Sequence, residues 1–213
     1  MVRMATDLTI AGDATPDWTG PVVHFFSVDD FHRLAAAGVF GPEDRVELIA
    51  GQIYDMTPIG APHATSVQLA LAALWKLPLA TAIGTWHIRV QQPLTLAHSE
   101  PQPDLAIVRG KPGDYAMRHP AAGDVGLVIE VADASLLMDR GKKLAMYAGE
   151  RIPQYWIVDL ASRRVECYST PSGPRAEGTP SFSEQRIANE TDEVAVVLEE
   201  TSYGPVRVTD LIV

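Results

Sequence analysis

Two carboxylates and a lysine are the residues of this chain whose types and surroundings best suit catalysis. Asp104 follows a proline at the start of an apolar run, Glu130 lies within the apolar run 127–131, and Lys143 ends the charged segment 139–143. Carboxylates from neighbouring strands can share a divalent cation such as Mg2+, which needs few protein oxygens and keeps several waters. A nearby lysine can stabilise charge that develops on a phosphate. These residue types are the minimum needed to hydrolyse a phosphodiester.

Most of these residues also have a purely structural interpretation. Asp104 could simply begin a strand, and Lys143 could pair with Asp139 one helical turn earlier. Glu130 differs, because a carboxylate in a buried strand must be paired, protonated or bound to a cation. Lys142, one step round the same helix, is predicted to face solvent.

Glu47 and His63 are further candidates for the same site. The alternating pattern around Glu47 favours a strand glutamate facing solvent over a third active-site carboxylate. His63 stands near a predicted helix start, where a local cap is favoured over a role as a ligand or phosphate contact.

Hydrophobic periodicity predicts the elements that would position these side chains. Residues 1–20 show no hydrophobic period and are predicted to form a flexible arm, which leaves 21–213 as a single domain. Helices are predicted at about 27–38, 60–79 and 136–148, a hairpin at 44–56, and strands at 85–95, 104–108, 124–131, 154–159, 164–169, 183–187 and 194–198.

Composition places the chain among ordinary globular proteins. Its 213 residues, 46% of them hydrophobic, are enough to bury one core. The single cysteine, Cys167, cannot form an internal disulfide and suggests a reducing compartment. With neither a signal-peptide pattern nor an apolar run long enough to span a bilayer, the chain is predicted to be cytoplasmic, with no membrane partner.

The formal net charge of -10 argues against binding to nucleic acid. Affinity for DNA comes largely from lysines and arginines that neutralise phosphates. Two features offset this objection: a metal site concentrates carboxylates, and basic residues cluster at 140–143 and 163–164. The sequence has no glycine-rich phosphate loop, no Cys/His zinc pattern and no Gly-x-Ser-x-Gly motif, so a carboxylate–metal site is the remaining catalytic option.

Five segments in a fixed order carry a resemblance to a known family. They are Glu47–Gly51, Pro101–Asp104, Val128–Ser135, Asp139–Lys143 and Tyr155–Asp159. With them, over about residues 25–210, the chain resembles the Uma-two family of restriction endonucleases. This family, long catalogued as a domain of unknown function, falls within the PD-(D/E)XK nuclease superfamily.

The resemblance implies a fold and a metal site. The fold would be α/β (α+β), a restriction-endonuclease-like core with a mixed central β-sheet flanked by helices and with additional β-hairpins. Asp104, Glu130 and the backbone carbonyl of Val131 would hold Mg2+, for which Mn2+ would substitute, and Glu47 would complete the site.

One departure from the superfamily pattern concerns the catalytic lysine. The pattern places it two residues after the second carboxylate, where this chain has Ala132. Lys143 would instead supply the ammonium group from the following helix. The resemblance then implies a metal-dependent endonuclease acting on DNA, with Glu47, Asp104, Glu130 and Lys143 as its catalytic residues.

Two other hypotheses remain open from the sequence. The acidic charge and Ala132 fit a catalytically weakened nuclease fold that binds nucleic acid or protein. Alternatively, the domain is purely structural, and its buried carboxylates pair with Lys143 and Arg140. A homodimer would suit cutting both DNA strands, and an exposed apolar tail at 211–213 could support it.

Overall fold

The computed structural model describes residues 22–80 and 86–213, so the arm predicted at 1–20 lies outside the described residues. Six of the predicted strands form one mixed sheet. In their order across the sheet they are β3 (Trp86–Val90), β4 (Leu105–Arg109), β5 (Val125–Ala132), β6 (Gln154–Asp159), β7 (Arg164–Pro171) and β8 (Phe182–Asn189). Strands β5 and β6 run parallel and all other neighbours run antiparallel.

Two apolar cores cover the two faces of this sheet. One core packs helix α2 (Ala61–Leu74) and the carboxyl-terminal hairpin against the sheet. The other packs a hairpin from the first quarter of the chain and helix α4 (Leu144–Gly149) against the opposite face. All eight residues of β5 are buried, as the continuous apolar run predicts for a central strand. The predicted fold class is therefore confirmed.

The amino-terminal elements form largely as predicted. Helix α1 (Val28–Ala36) starts at a capping box between Ser27 and Asp30. The hairpin of β1 (Val46–Ile49) and β2 (Gln52–Asp55) turns through Ala50 and Gly51. Both turn residues have positive φ, 48° and 75°, which is the geometry of a tight hairpin turn. Helix α2 ends at Leu74, earlier than predicted.

The helix predicted at 136–148 contains an irregularity. A short α-helical turn, α3 (Leu136–Met138), is followed by a π-helical segment (Asp139–Lys143) and then by α4. Asp139 and Lys143 are both buried, and Lys142 between them is exposed as predicted. This π-helical segment carries the residue that the sequence assigns as the catalytic lysine.

The carboxyl-terminal region differs from the prediction in two ways. A second hairpin pairs β9 (Glu193–Leu198) with β10 (Thr201–Arg207), and β10 was not predicted because Gly204 and Pro205 interrupt its pattern. In the apolar tail, Leu211 and Ile212 are buried in the core. The expectation of an exposed tail that supports a homodimer is therefore wrong for these two residues. Within the described residues, no helix has the length and apolarity required to cross a membrane.

Candidate active site

Strand pairing brings the two predicted carboxylates together. Leu105 of β4 pairs with Ile129 of β5, so Asp104 and Glu130 lie side by side at the end of β4. Asp104 Oδ2 accepts a hydrogen bond of 2.9 Å from the backbone N–H of Val131. The Asp104 N–H points to Glu130 Oε2 at 3.4 Å. Both carboxylates are buried, and Val131 contacts Asp104 through its backbone N–H.

Lys143 reaches these carboxylates from the π-helical segment. Its Nζ lies 3.0 Å from Glu130 Oε1 and 3.3 Å from Glu47 Oε1. All three side chains are at least nine-tenths buried. The structure therefore places an ammonium group beside Glu130, although the superfamily position holds Ala132.

Glu47 is buried, so the solvent-facing position favoured by strand periodicity is wrong. The extended segment that precedes β4 covers this part of β1: Leu48 exchanges backbone hydrogen bonds with Glu100. The N–H of Gln102 then donates to Glu47 Oε2 at 3.2 Å. A short hairpin is usually half exposed, and its sequence does not indicate that a distant segment will cover it.

His63 and Gln91 hold Asp104 from two sides. His63, in the first turn of α2, has its Nε2 3.0 Å from Asp104 Oδ2, so the local cap favoured by the sequence is not its contact. This hydrogen bond raises the pKa of His63, although burial lowers it. Gln91 donates from Nε2 to Asp104 Oδ1 at 3.2 Å. Sequence reasoning did not select Gln91, which follows an otherwise ordinary alternating strand.

Tyr147 is another residue that the sequence did not single out. Its hydroxyl donates to Glu130 Oε1 at 3.1 Å. It follows Lys143 by four residues, and residues four apart share one side of a helix. That spacing was a signal that could have identified Tyr147.

The buried charges perturb one another strongly. Burial raises the pKa of Glu130 to about 8, with further increases from Asp139, Asp104 and Glu47, while Lys143 opposes the rise. Burial alone would lower the pKa of Lys143. Glu130, Glu47 and Asp139 raise it by more than burial lowers it, so the pKa of Lys143 lies above its ordinary value. Burial likewise raises the pKa of Asp139 to about 6. The neighbouring carboxylates therefore favour the protonated form of Lys143.

A second group of buried charges anchors the same helical segment. Arg140 forms ion pairs with Asp159 of β6 and Glu166 of β7, and both carboxylates are buried. Arg164 pairs with Glu166 as well, at 2.9 Å. These contacts fix the π-helical segment against β6 and β7, which positions Lys143. Sequence reasoning assigned Arg140 a pairing role and did not identify its partners.

The carboxylates and Lys143 line a single cleft of about 390 Å3. Its outer part combines charged and apolar side chains, among them Arg45, Asp55, Asp133, Ile59 and Leu137. Glu47, Asp104, Glu130 and Lys143 are the buried residues of its lining.

The donor set of the cleft fits a hard divalent cation. Glu47, Asp104 and Glu130 line the cleft with Lys143, so its buried lining carries more carboxyl groups than ammonium groups. Among the described residues, no cluster of three or more His, Cys, Asp or Glu is arranged to hold an ion by itself. Mg2+ does not require such a cluster, because it binds through one or two carboxylates and keeps waters or substrate phosphates as its other ligands.

The mixed sheet, its flanking helices and the carboxylate–lysine site define a restriction-endonuclease-like fold. The chain belongs to the Uma2 family, described as "Putative restriction endonuclease", whose family model matches residues 28–199. It is also similar to the crystal structure of a putative nuclease belonging to DUF820 from Anabaena variabilis ATCC 29413. That match has a TM-score of 0.65 and 14% identity and covers 87% of this chain and 97% of the other. No curated protein matches the chain.

Proposed function

We propose that the protein is a metal-dependent endonuclease that hydrolyses phosphodiester bonds in DNA. The observation that carries the proposal is the 3.0 Å contact between Lys143 Nζ and Glu130 Oε1. This contact brings together the two parts of the site. The carboxylates can bind a hard cation, and the ammonium group can bind a phosphate. Membership of a family of restriction endonucleases supports DNA as the substrate.

In this proposal Asp104 and Glu130 hold Mg2+, for which Mn2+ substitutes, with Glu47 and the backbone carbonyl of Val131 as further oxygen donors. When bound, the cation polarises the phosphoryl group and lowers the pKa of an attacking water. His63 and Gln91 keep the Asp104 carboxylate in place through their hydrogen bonds. Hydrolysis forms a bond from the water oxygen to phosphorus and breaks one phosphate ester bond.

Lys143 acts in the proposal as a fixed positive charge. Its ammonium donates to Glu130 in the structure, and it would donate hydrogen bonds to a phosphate in the same way. Glu47, 3.3 Å away, holds the ammonium at the base of the cleft. Positive charge placed in advance beside a reacting phosphate stabilises the transition state.

The alternative of a catalytically weakened fold rests on Ala132 and on the acidic net charge. The position of Lys143 removes the first argument, because the ammonium reaches Glu130 from another element. Bound divalent cations would offset part of the local negative charge, which weakens the argument from the acidic net charge. The nuclease proposal is therefore the better supported of the two.

A plasmid cleavage assay tests this function. Supercoiled plasmid and single-stranded DNA should be cut in Mg2+ or Mn2+, and EDTA should stop the reaction because the carboxylates alone do not polarise the phosphate. The same metals should raise the melting temperature of the protein by mass action. A folded protein that cuts neither DNA in any divalent metal would contradict the proposal.

Replacing His63 with alanine should weaken cation binding without unfolding the protein. The change removes the 3.0 Å contact that orients Asp104, and loss of such an outer contact typically costs 10- to 100-fold in metal affinity. Titration calorimetry with Mn2+ measures the effect directly. His98→Ala, an exposed histidine outside the cleft, is the matched control. Equal Mn2+ affinities for the two variants would mean that His63 does not position Asp104.

A further inference from the structure

Arg89 of the edge strand β3 lies on the same face of the sheet as the carboxylates. It pairs with Ala106 of β4, and Asp104 stands two residues before Ala106. Alternate residues of a strand point to the same face, so Arg89 and Asp104 are diagonal neighbours there. Such neighbours are roughly 7 Å apart at their backbones, and the Arg89 side chain extends from there toward Tyr115, which packs on His87. The pairing continues past the strand, since the Gln91 N–H donates to the Asp104 carbonyl at 3.0 Å.

Arg89 has no carboxylate partner among the described residues. Two other arginines of the same region are paired: Arg109 with Glu199, and Arg118 with Asp124 at 2.7 Å. The Arg89 guanidinium instead lies 5.7 Å from the centre of the Tyr115 ring, and its buried Nε has no hydrogen-bond partner. Burial lowers the pKa of Arg89, which reflects the cost of this uncompensated charge.

An unpaired, half-buried arginine is unusual in a chain with a net charge of -10. A desolvated guanidinium without a partner costs stability, and it binds strongly to an anion that presents two oxygens. Phosphate is such an anion, and Arg89 is one strand away from the proposed site of phosphodiester hydrolysis.

We infer that Arg89 binds a backbone phosphate of the DNA substrate, flanking the phosphate that is cut. The inference rests on the proposed function and adds a substrate-binding residue outside the carboxylate–lysine site. Tyr115 supports the guanidinium from one side, so the fork of N–H groups is oriented before the substrate arrives. Because this contact is to the DNA backbone, it gives no preference for a DNA sequence.

Salt-dependent DNA binding tests the inference. Anisotropy of a labelled duplex is measured with the full chain in Ca2+ over a range of salt concentrations, with gels to confirm that the DNA stays intact. Arg89→Met should weaken binding about tenfold. It should also reduce the slope of log K against log[salt] by about 0.9, the contribution of one phosphate contact. Arg89→Lys keeps the charge and should retain the slope while losing part of the affinity.

Two controls separate binding from folding. Arg207→Met removes an exposed arginine that pairs with Asp210, and it should leave both affinity and slope unchanged. The melting temperature of Arg89→Met should not fall, because the substitution removes an uncompensated charge and keeps an apolar side chain of similar length. A marked fall would show that Arg89 is structural and would overturn the inference.

The outcomes distinguish this inference from the proposed function. If the wild type cuts DNA and Arg89→Met binds with unchanged affinity and slope, the inference is wrong and the nuclease proposal stands. If the wild type binds with an Arg89-dependent slope and never cuts DNA in Mg2+ or Mn2+, the nuclease proposal is wrong and the phosphate contact stands. A wild type that binds no DNA overturns the inference.

Discussion

Asp104→Asn and Glu130→Gln should each abolish metal-dependent DNA cleavage, a loss of about a thousandfold or more, while the protein remains folded. Each change removes a charge that the proposed cation needs and preserves the shape of the side chain. Asparagine can still accept the hydrogen bond from the Val131 N–H. Glutamine keeps the shape of Glu130, and its side-chain oxygen can still accept the hydrogen bonds from Lys143 and Tyr147.

Plasmid nicking rates in Mg2+ and Mn2+, read beside Mn2+ titration calorimetry and thermal melting, measure this effect. Asp133→Asn is the matched control, because Asp133 is exposed, lines the same cleft and makes no contact with Glu130 or Lys143. Its activity should stay close to that of the wild type. Near-full activity in Asp104→Asn or Glu130→Gln would show that the carboxylates of the site have been assigned wrongly.

Lys143→Met should separate turnover from cation binding. Turnover should fall by about 100- to 1000-fold, the usual effect of losing one group that stabilises transition-state charge. Cation affinity should hold or rise, because Lys143 competes with a cation for Glu130 and Glu47. In EDTA the free energy of unfolding should fall by about 3 kcal/mol, since the substitution leaves buried carboxylates without a counter-charge. Added Mn2+ should restore part of that stability.

Cleavage kinetics, calorimetry and chemical denaturation with and without Mn2+ test this set of effects. Lys142→Met is the control: Lys142 is exposed and donates to Gln52 Oε1 at 2.9 Å, outside the carboxylate group. Lys142→Met should change turnover, cation affinity and the free energy of unfolding very little. If Lys142→Met lost turnover and Lys143→Met did not, the ammonium of the site would have been assigned to the wrong lysine.

The sequence predicted the elements of this site better than their contacts. Glu130 could be selected because an apolar strand surrounds it on both sides, and burial forces such a carboxylate to find a partner. The partner itself, Lys143, was supported by the family resemblance and by its place in the charged segment 139–143. Strand periodicity misplaced Glu47, because periodicity reports which face a residue occupies and not what lies over that face.

The features that escaped prediction depend on contacts between distant segments. His63 looked like a helix cap because its partner, Asp104, is 41 residues away. Leu211 and Ile212 looked like an exposed tail because their cover comes from α2 and the β9–β10 hairpin. The π-helical segment has no hydrophobic period of its own. The helical pattern on either side of it therefore concealed it.

The π-helical segment makes the length of this region as important as its composition. Removing one residue, such as the exposed Gly141, would return it to a regular α-helix and rotate everything on one side of the deletion by about 100° relative to the other. Either Arg140 would leave its carboxylates or Lys143 would leave Glu130. In an alignment of related chains, a one-residue gap here would therefore mark proteins that cannot keep both contacts, even where every charged residue is retained.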